Sequence, residues 1–209
     1  MAQTYDLTRG KTSSVILKFF FPMFFTNMLQ QLYTVADTAI VGKGLGDNAL
    51  ASVGNMSSLT FLIIGFSLGI SNGFSVSIAQ SYGAGNHEKL KKAIAASVKL
   101  SVIVTIILTA ISMLFLKPVL VMLRTDESIL KDSLIYGYII FGGLFSTIAY
   151  NMASCILRAL GDSKTPFFAI IVSSAINIVL DFLFIFGFKT GVEGAAIATV
   201  ISQVASTLI

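Results

Sequence analysis

Two carboxylates stand in stretches of this chain that otherwise hold no charge. Of ten acidic residues, eight lie in loops or tails, and only Asp37 and Asp181 fall inside long apolar runs. A charge at the centre of a bilayer costs on the order of 2.5–3.5 kcal/mol on insertion scales, so an acid kept there is a candidate for function. Carboxylate, amide and hydroxyl oxygens bind hard cations such as Na+, and a carboxyl held out of water can also carry a proton. Polar neighbours repeat at helical spacing around both acids. Asn177 stands four residues before Asp181 and shares its face; Gln30 stands seven before Asp37. Two plainer readings remain open. Asp37 lies near a helix end and could meet interfacial water, and Asp181 could bond a neighbouring helix.

The elements that must position these residues are membrane spans. The 209 residues are 55% hydrophobic and 11% charged, where a soluble domain carries roughly 25% charged residues. A helix needs about 20 apolar residues to cross a core of about 30 Å. Reading between charges, the sequence predicts six spans near 15–41, 50–80, 95–116, 133–156, 167–188 and 194–209, after a tail over 1–14. The expected fold is all-α, a polytopic six-helix transmembrane bundle. The second run exceeds one crossing and reads as one long protruding helix, with a broken or re-entrant segment as the alternative. Continuous runs exclude a transmembrane β-barrel, which alternates at period two.

Helical rise brings the candidates to one level. At 1.5 Å per residue, Asp181 lies about 10 Å, Asp37 and Thr199 about 8 Å, and Tyr136 about 5 Å from the same side of the bundle. If these faces converge, they form one polar pocket. Orientation follows from the basic residues. With the N-terminus inside, cytoplasmic segments hold Arg9, Lys11, Lys18, Lys89, Lys91, Lys92, Lys99, Arg158 and Lys164; outer ones hold Lys43, Lys117, Arg124, Lys131 and Lys189. Nine against five favours a cytoplasmic N-terminus. That bias, and not nucleic-acid binding, accounts for the net charge of +4.

Catalysis has little to work with. One histidine, His87, and one cysteine, Cys155, exclude multi-His and Cys-cluster metal sites and any intrachain disulfide. No phosphate-binding glycine loop of the Walker type occurs, and the short connections leave no room for a nucleotide-binding domain. The chain reads as no enzyme, with no cofactor beyond a coupling ion.

Several segments, taken in order, resemble the multidrug and toxic compound extrusion (MATE) transporters, in the N-terminal lobe of their prokaryotic branch. They are Asp37-Thr38-Ala39-Ile40-Val41-Gly42 with Gly44-Leu45-Gly46, then Ala79-Gln80-Ser81-Tyr82-Gly83-Ala84-Gly85, Arg158-Ala159-Leu160-Gly161-Asp162-Ser163-Lys164-Thr165-Pro166, Asn177-Ile178-Val179-Leu180-Asp181 and Gly191-Val192-Glu193-Gly194-Ala195-Ala196. The resemblance implies one lobe of a twelve-helix antiporter of the cell membrane, exporting organic cations or amphipathic drugs in exchange for Na+ or H+. It implies a cation site at Asp37 and Asp181, with Tyr136, Asn177 and Thr199 as its polar network. Gln30 falls on the polar face of the first helix, and Pro22 on a proline linked with bending. Phe24, Phe25, Met28 and Met152 are candidates for a greasy substrate cavity.

A second lobe is missing from this expectation: the sequence reads as half of a transporter, its last helix cut short. It would be completed by a C-terminal lobe or by a second copy of itself. The alternatives are a lipid-linked oligosaccharide flippase of the same wider superfamily and a non-transporting membrane fragment. A flippase of that kind carries arginines in its cavity, and no Arg lies mid-span here.

Overall fold

The computed structural model describes residues 12–209, all of whose regular structure is helical. The chain forms α1 (Thr12–Leu45), α2 (Asp47–Gly83), α3 (His87–Met122), α4 (Glu127–Gly142), α5 (Leu144–Ala159), α6 (Lys164–Asp181) and α7 (Val192–Leu208). A π-helical segment, Phe182–Gly187, continues α6. All six expected spans carry helix. Of the expected tail 1–14, residues 1–11 lie outside the described residues, and Thr12 already opens α1.

Among the described residues, α2, α3 and α6 with its π-helical extension are each long and apolar enough to cross a membrane, and α4 and α5 qualify together as one bent span. Polar residues in the middle of α1, Asn27, Gln30 and Gln31, dilute its hydropathy. The 17 residues of α7 are apolar but shorter. The long second run is one unbroken helix of 37 residues, which at 1.5 Å per residue reaches about 55 Å.

The break falls instead in the fourth span, where α4 and α5 meet at 46°. Its physical cause is visible at Gly143, the residue between them. A Cβ there would collide with the Val200 side chain of α7, so only glycine lets the chain turn this close to its neighbour. The sequence reading took 133–156 as one span, which it is, but did not foresee the bend, because a Gly pair inside an apolar run leaves the hydrophobic pattern intact. Gly46 has a comparable role between α1 and α2. It is a one-residue connection at φ 86, ψ −175, a backbone region that is essentially glycine's own.

The main apolar core lies toward the Gly46 end of the bundle. Val41 of α1, Val53 and Met56 of α2, Leu116 and Leu120 of α3, Phe141 of α4 and Ala195 and Ala196 of α7 are buried together there. Toward the other end a small cluster of Tyr150, Ala169 and Ile170 packs with Leu29 of α1. Elsewhere serines take the place of large side chains. Ser67, Ser71, Ser97, Ser101, Ser154, Ser202 and Ser206 are all buried. Small side chains let helices approach closely, and with no water available each hydroxyl needs a partner nearby. Ser97 donates to the Ala93 carbonyl at 2.8 Å and Ser206 to that of Gln203 at 2.8 Å. Large apolar side chains such as Leu62, Leu114 and Val179 point outward, as in a protein solvated by lipid.

The connections are capped by acids and amides. Asn86 accepts from the Lys89 N–H at 2.9 Å, and Asp126 from that of Ser128 at 2.8 Å. Asp162 starts α6: Oδ1 accepts from the N–H groups of Lys164 and Thr165, both at 3.0 Å, and Oδ2 from the Thr165 hydroxyl at 2.6 Å. Burial pushes the Asp162 carboxyl up, but the bonds from Thr165 and Lys164 outweigh it and hold it below the usual range. Its contribution is therefore complete above the unfolded-state value, about pH 4, and is lost as pH falls through the lower folded value. Asp162→Ala is expected to destabilise the protein by about 1 kcal/mol, read as a lower Tm in detergent at pH 7, with the gap to wild type closing in strong acid. An equal gap at all pH values would contradict this account.

Candidate cation-binding site

Four helices meet around the two intramembrane acids. Asp37 of α1 is 6% exposed, and Asp181 and Asn177 of α6 are fully buried. Asp37 and Asp181 lie close enough for their charges to act on one another. The helical spacing read from sequence does what it implied, since Asn177 lies one turn before Asp181 and its Nδ2 reaches Thr199 Oγ1 of α7 at 3.5 Å. Tyr136 of α4 is buried against the same carboxyls. All five expected cation-site residues thus come together.

The site has more acceptors than donors. Among the described residues, both Asp181 oxygens, Asp37 Oδ1, Asn177 Oδ1 and Gln203 Oε1 are buried without a hydrogen-bond partner. Orphaned acceptors cost folding free energy away from water. Two facing carboxyls with no basic neighbour hold a proton or a cation in preference to two bare charges. The backbone also changes here. Directly after Asp181 the α-helix widens into the π-helical segment Phe182–Gly187, a distortion that recurs at functional positions.

A cavity of about 630 Å³ opens beside this pair, between α1, α2, α4 and α7. Tyr33 and Asp37 line it from α1, Ser57 and Phe61 from α2, Tyr136 from α4, and Thr199 and Gln203 from α7. No basic side chain lines it. Asp37 belongs to its wall, whereas Asp181 and Asn177 lie behind that wall in the protein interior. The pair thus joins the cavity to a fully enclosed carboxyl.

Tyr33 and Gln203 are additions that the sequence reading missed. Tyr33 lines the cavity together with Thr199 and Gln203. The signal for both was present: Tyr33 stands four residues before Asp37 and Gln203 four after Thr199, each one turn along the same face. The expected substrate residues lie apart from the cavity. Phe24, Phe25 and Met28 are about half exposed on the surface of α1. Gln30 is half-buried on the same helix and does not line the cavity. Met152 is buried beside a separate apolar groove between α3 and α5. Pro22 lies within α1, fifteen residues from Asp37, and its carbonyl accepts from the Thr26 hydroxyl at 2.7 Å.

Comparison with known proteins adds the family. The MatE profile matches residues 22–183, most of the chain. The chain belongs to the MATE transporters. It is 37% identical over 195 residues to the probable multidrug resistance protein YoeA of Bacillus subtilis, covering 91% of this chain and 42% of that one. A MATE crystal structure in the bent conformation superposes with a TM-score of 0.92 at 30% identity, covering 100% of this chain and 46% of that one. An outward-facing multidrug resistance MATE transporter gives 0.91 at 30% identity, again with 100% and 46% coverage. The chain therefore spans just under half the length of the MATE relatives it matches, and it has the fold of a single MATE lobe. The family is one of membrane transporters, not of enzymes.

The orphaned acceptors make a stability prediction. In the full-length protein in detergent at neutral pH, Asp181→Asn is expected to leave Tm unchanged or raise it by a few degrees, because the amide brings N–H donors to a site rich in orphaned acceptors. A fall of several degrees would mean that the carboxylate is a structural partner instead.

Proposed function

We propose that this chain forms the N-terminal lobe of a secondary antiporter in the cell membrane, with its N-terminus in the cytoplasm. The transporter exports organic cations or amphipathic drugs in exchange for Na+ or H+. The observation that carries this reading is the buried Asp37–Asp181 pair, rich in unpartnered oxygens and set in the wall of a cavity with no basic residue. The coupling ion binds at the two carboxyls, with Asn177, Tyr136 and Thr199 supplying further oxygens. In its absence the pair carries negative charge and draws an organic cation to the Asp37 side of the wall. Ion and substrate then compete for the same charge, which is the coupling an antiporter needs.

The cavity is open to the outside of this lobe, and a second lobe set against it completes the chamber. That lobe comes from the same polypeptide or from a second copy; the length of the relatives supports a partner half of similar size. Phe24, Met28 and Gln30, exposed or half-buried on α1, are the apolar and polar surface that such a chamber presents to an amphipathic drug. Pro22 gives α1 a place to bend, since its missing N–H removes one backbone bond of the ladder. An oligosaccharide flippase fits less well, because a pyrophosphate headgroup calls for basic side chains in the cavity.

The test is transport by the full-length protein in proteoliposomes. Efflux of a fluorescent organic cation is driven by an imposed Na+ gradient and, separately, by a pH gradient. Wild type is expected to respond to one of the two, and Asp181→Asn to fall to the protein-free background while still inserting in the membrane. Wild-type efflux from Asp181→Asn would overturn the ion-site reading. A response to neither gradient by wild type would overturn the antiport reading.

A further inference from the structure

On the face of the bundle away from the cavity, α3 and α5 diverge. α3 is one continuous helix, whereas α5 turns off at the 46° bend after α4. The wedge between them is an apolar groove of about 670 Å³, lined by Val98, Val102 and Ile106 of α3 and by Phe145, Ala149 and Ala153 of α5, among others. Of its three hydroxyl residues, Ser101, Thr105 and Thr109, Thr105 turns back on its own helix and donates to the Ser101 carbonyl at 2.7 Å. The wall offered to an occupant is hydrocarbon.

Length and charge name the occupant. From Val98 to Ala110 the groove runs about 18 Å along α3, close to the half-thickness of a hydrocarbon core of about 30 Å. It ends at the Gly142 bend and opens toward the Gly85 end of the bundle. At that open end Lys99 adjoins Val98, and Lys91 lies two helical turns further on the same face. Both belong to the exposed surface. Lys92 is held by Glu88 at 2.6 Å, but neither Lys91 nor Lys99 has an ion-pair partner among the described residues. One acyl chain deep, with two free cations at headgroup height, the groove matches one molecular shape.

We propose that the α3–α5 groove is a binding site for an anionic phospholipid of the cytoplasmic leaflet, its acyl chain wedged against the bend and its phosphate held by Lys91 and Lys99. The lipid fills the wedge that the bend opens, and so supports the angle at which α5 leaves α4. The leaflet assignment rests on the orientation proposed above. The binding site itself does not, since affinity can be read in detergent without transport.

The experiment is native mass spectrometry of the purified full-length protein in detergent, titrated with phosphatidylglycerol or with phosphatidylcholine of the same acyl chains. Wild type is expected to retain one phosphatidylglycerol with a preference of about tenfold over phosphatidylcholine. Lys91→Gln with Lys99→Gln is expected to lose the preference while keeping weak retention of both lipids. Ala153→Trp, which fills the groove from a partly open position, is expected to lose retention of both while eluting as a folded protein. Equal retention of the two lipids by wild type would overturn the proposal, as would a preference unchanged in the lysine double variant. A dimer that Ala153→Trp dissociates, with lipid retention intact, would overturn it in favour of a second copy in the groove.

Discussion

The fold is organised around two acids held together, Asp181 sealed in the interior and Asp37 at the wall of a cavity. Asp37 and Asp181 come from helices far apart in sequence, and neither is offset by a base. Such an arrangement persists only if the surrounding helices supply enough packing to offset it. The main core does so at the same end of the bundle, where Val41 and Ile185 lie within four residues of the two acids along their own helices. The strongest packing is thus placed beside the least comfortable chemistry.

Around that constraint the sequence divides its small residues by task. Serines let α2, α5, α6 and α7 approach one another, and the hydroxyls of Ser81 and Ser202, for example, return to the backbone. Glycine at 46 and 143 allows turns that no side chain would permit. Asp162 fastens the start of the helix that carries Asn177 and Asp181. A break in any of these moves a carboxyl, not merely a loop.

Spans and their order were legible because charge marks the ends of apolar runs. The polar cluster was legible for a related reason: an acid inside such a run stands out, helical spacing ties Asn177 to Asp181, and helical rise brings Thr199 to the same depth. Tyr33 and Gln203 escaped because Tyr and Gln are not costly enough in a membrane to signal themselves. The bend at Gly143 escaped because periodicity does not record direction. Phe24, Met28 and Met152 show the limit most clearly. An apolar side chain reads the same from sequence whether it faces lipid, a groove or a cavity, and only packing separates Met152 beside α3 from Phe24 on the outer surface of α1.

The uneven placement of the core also has a mechanical side. α1 is anchored by Val41 near one end, while Ile16, Leu17, Phe20 and Phe21 at the other stay largely uncovered by the lobe. From Val41 to Ile16 the helix is about 38 Å long. Pivoted at its anchored end, it behaves as a lever: a tilt of about 10° carries its far end through about 7 Å, on the scale of a side chain. Lever geometry makes any tilt about the Val41 anchor largest at the residues that the lobe leaves uncovered.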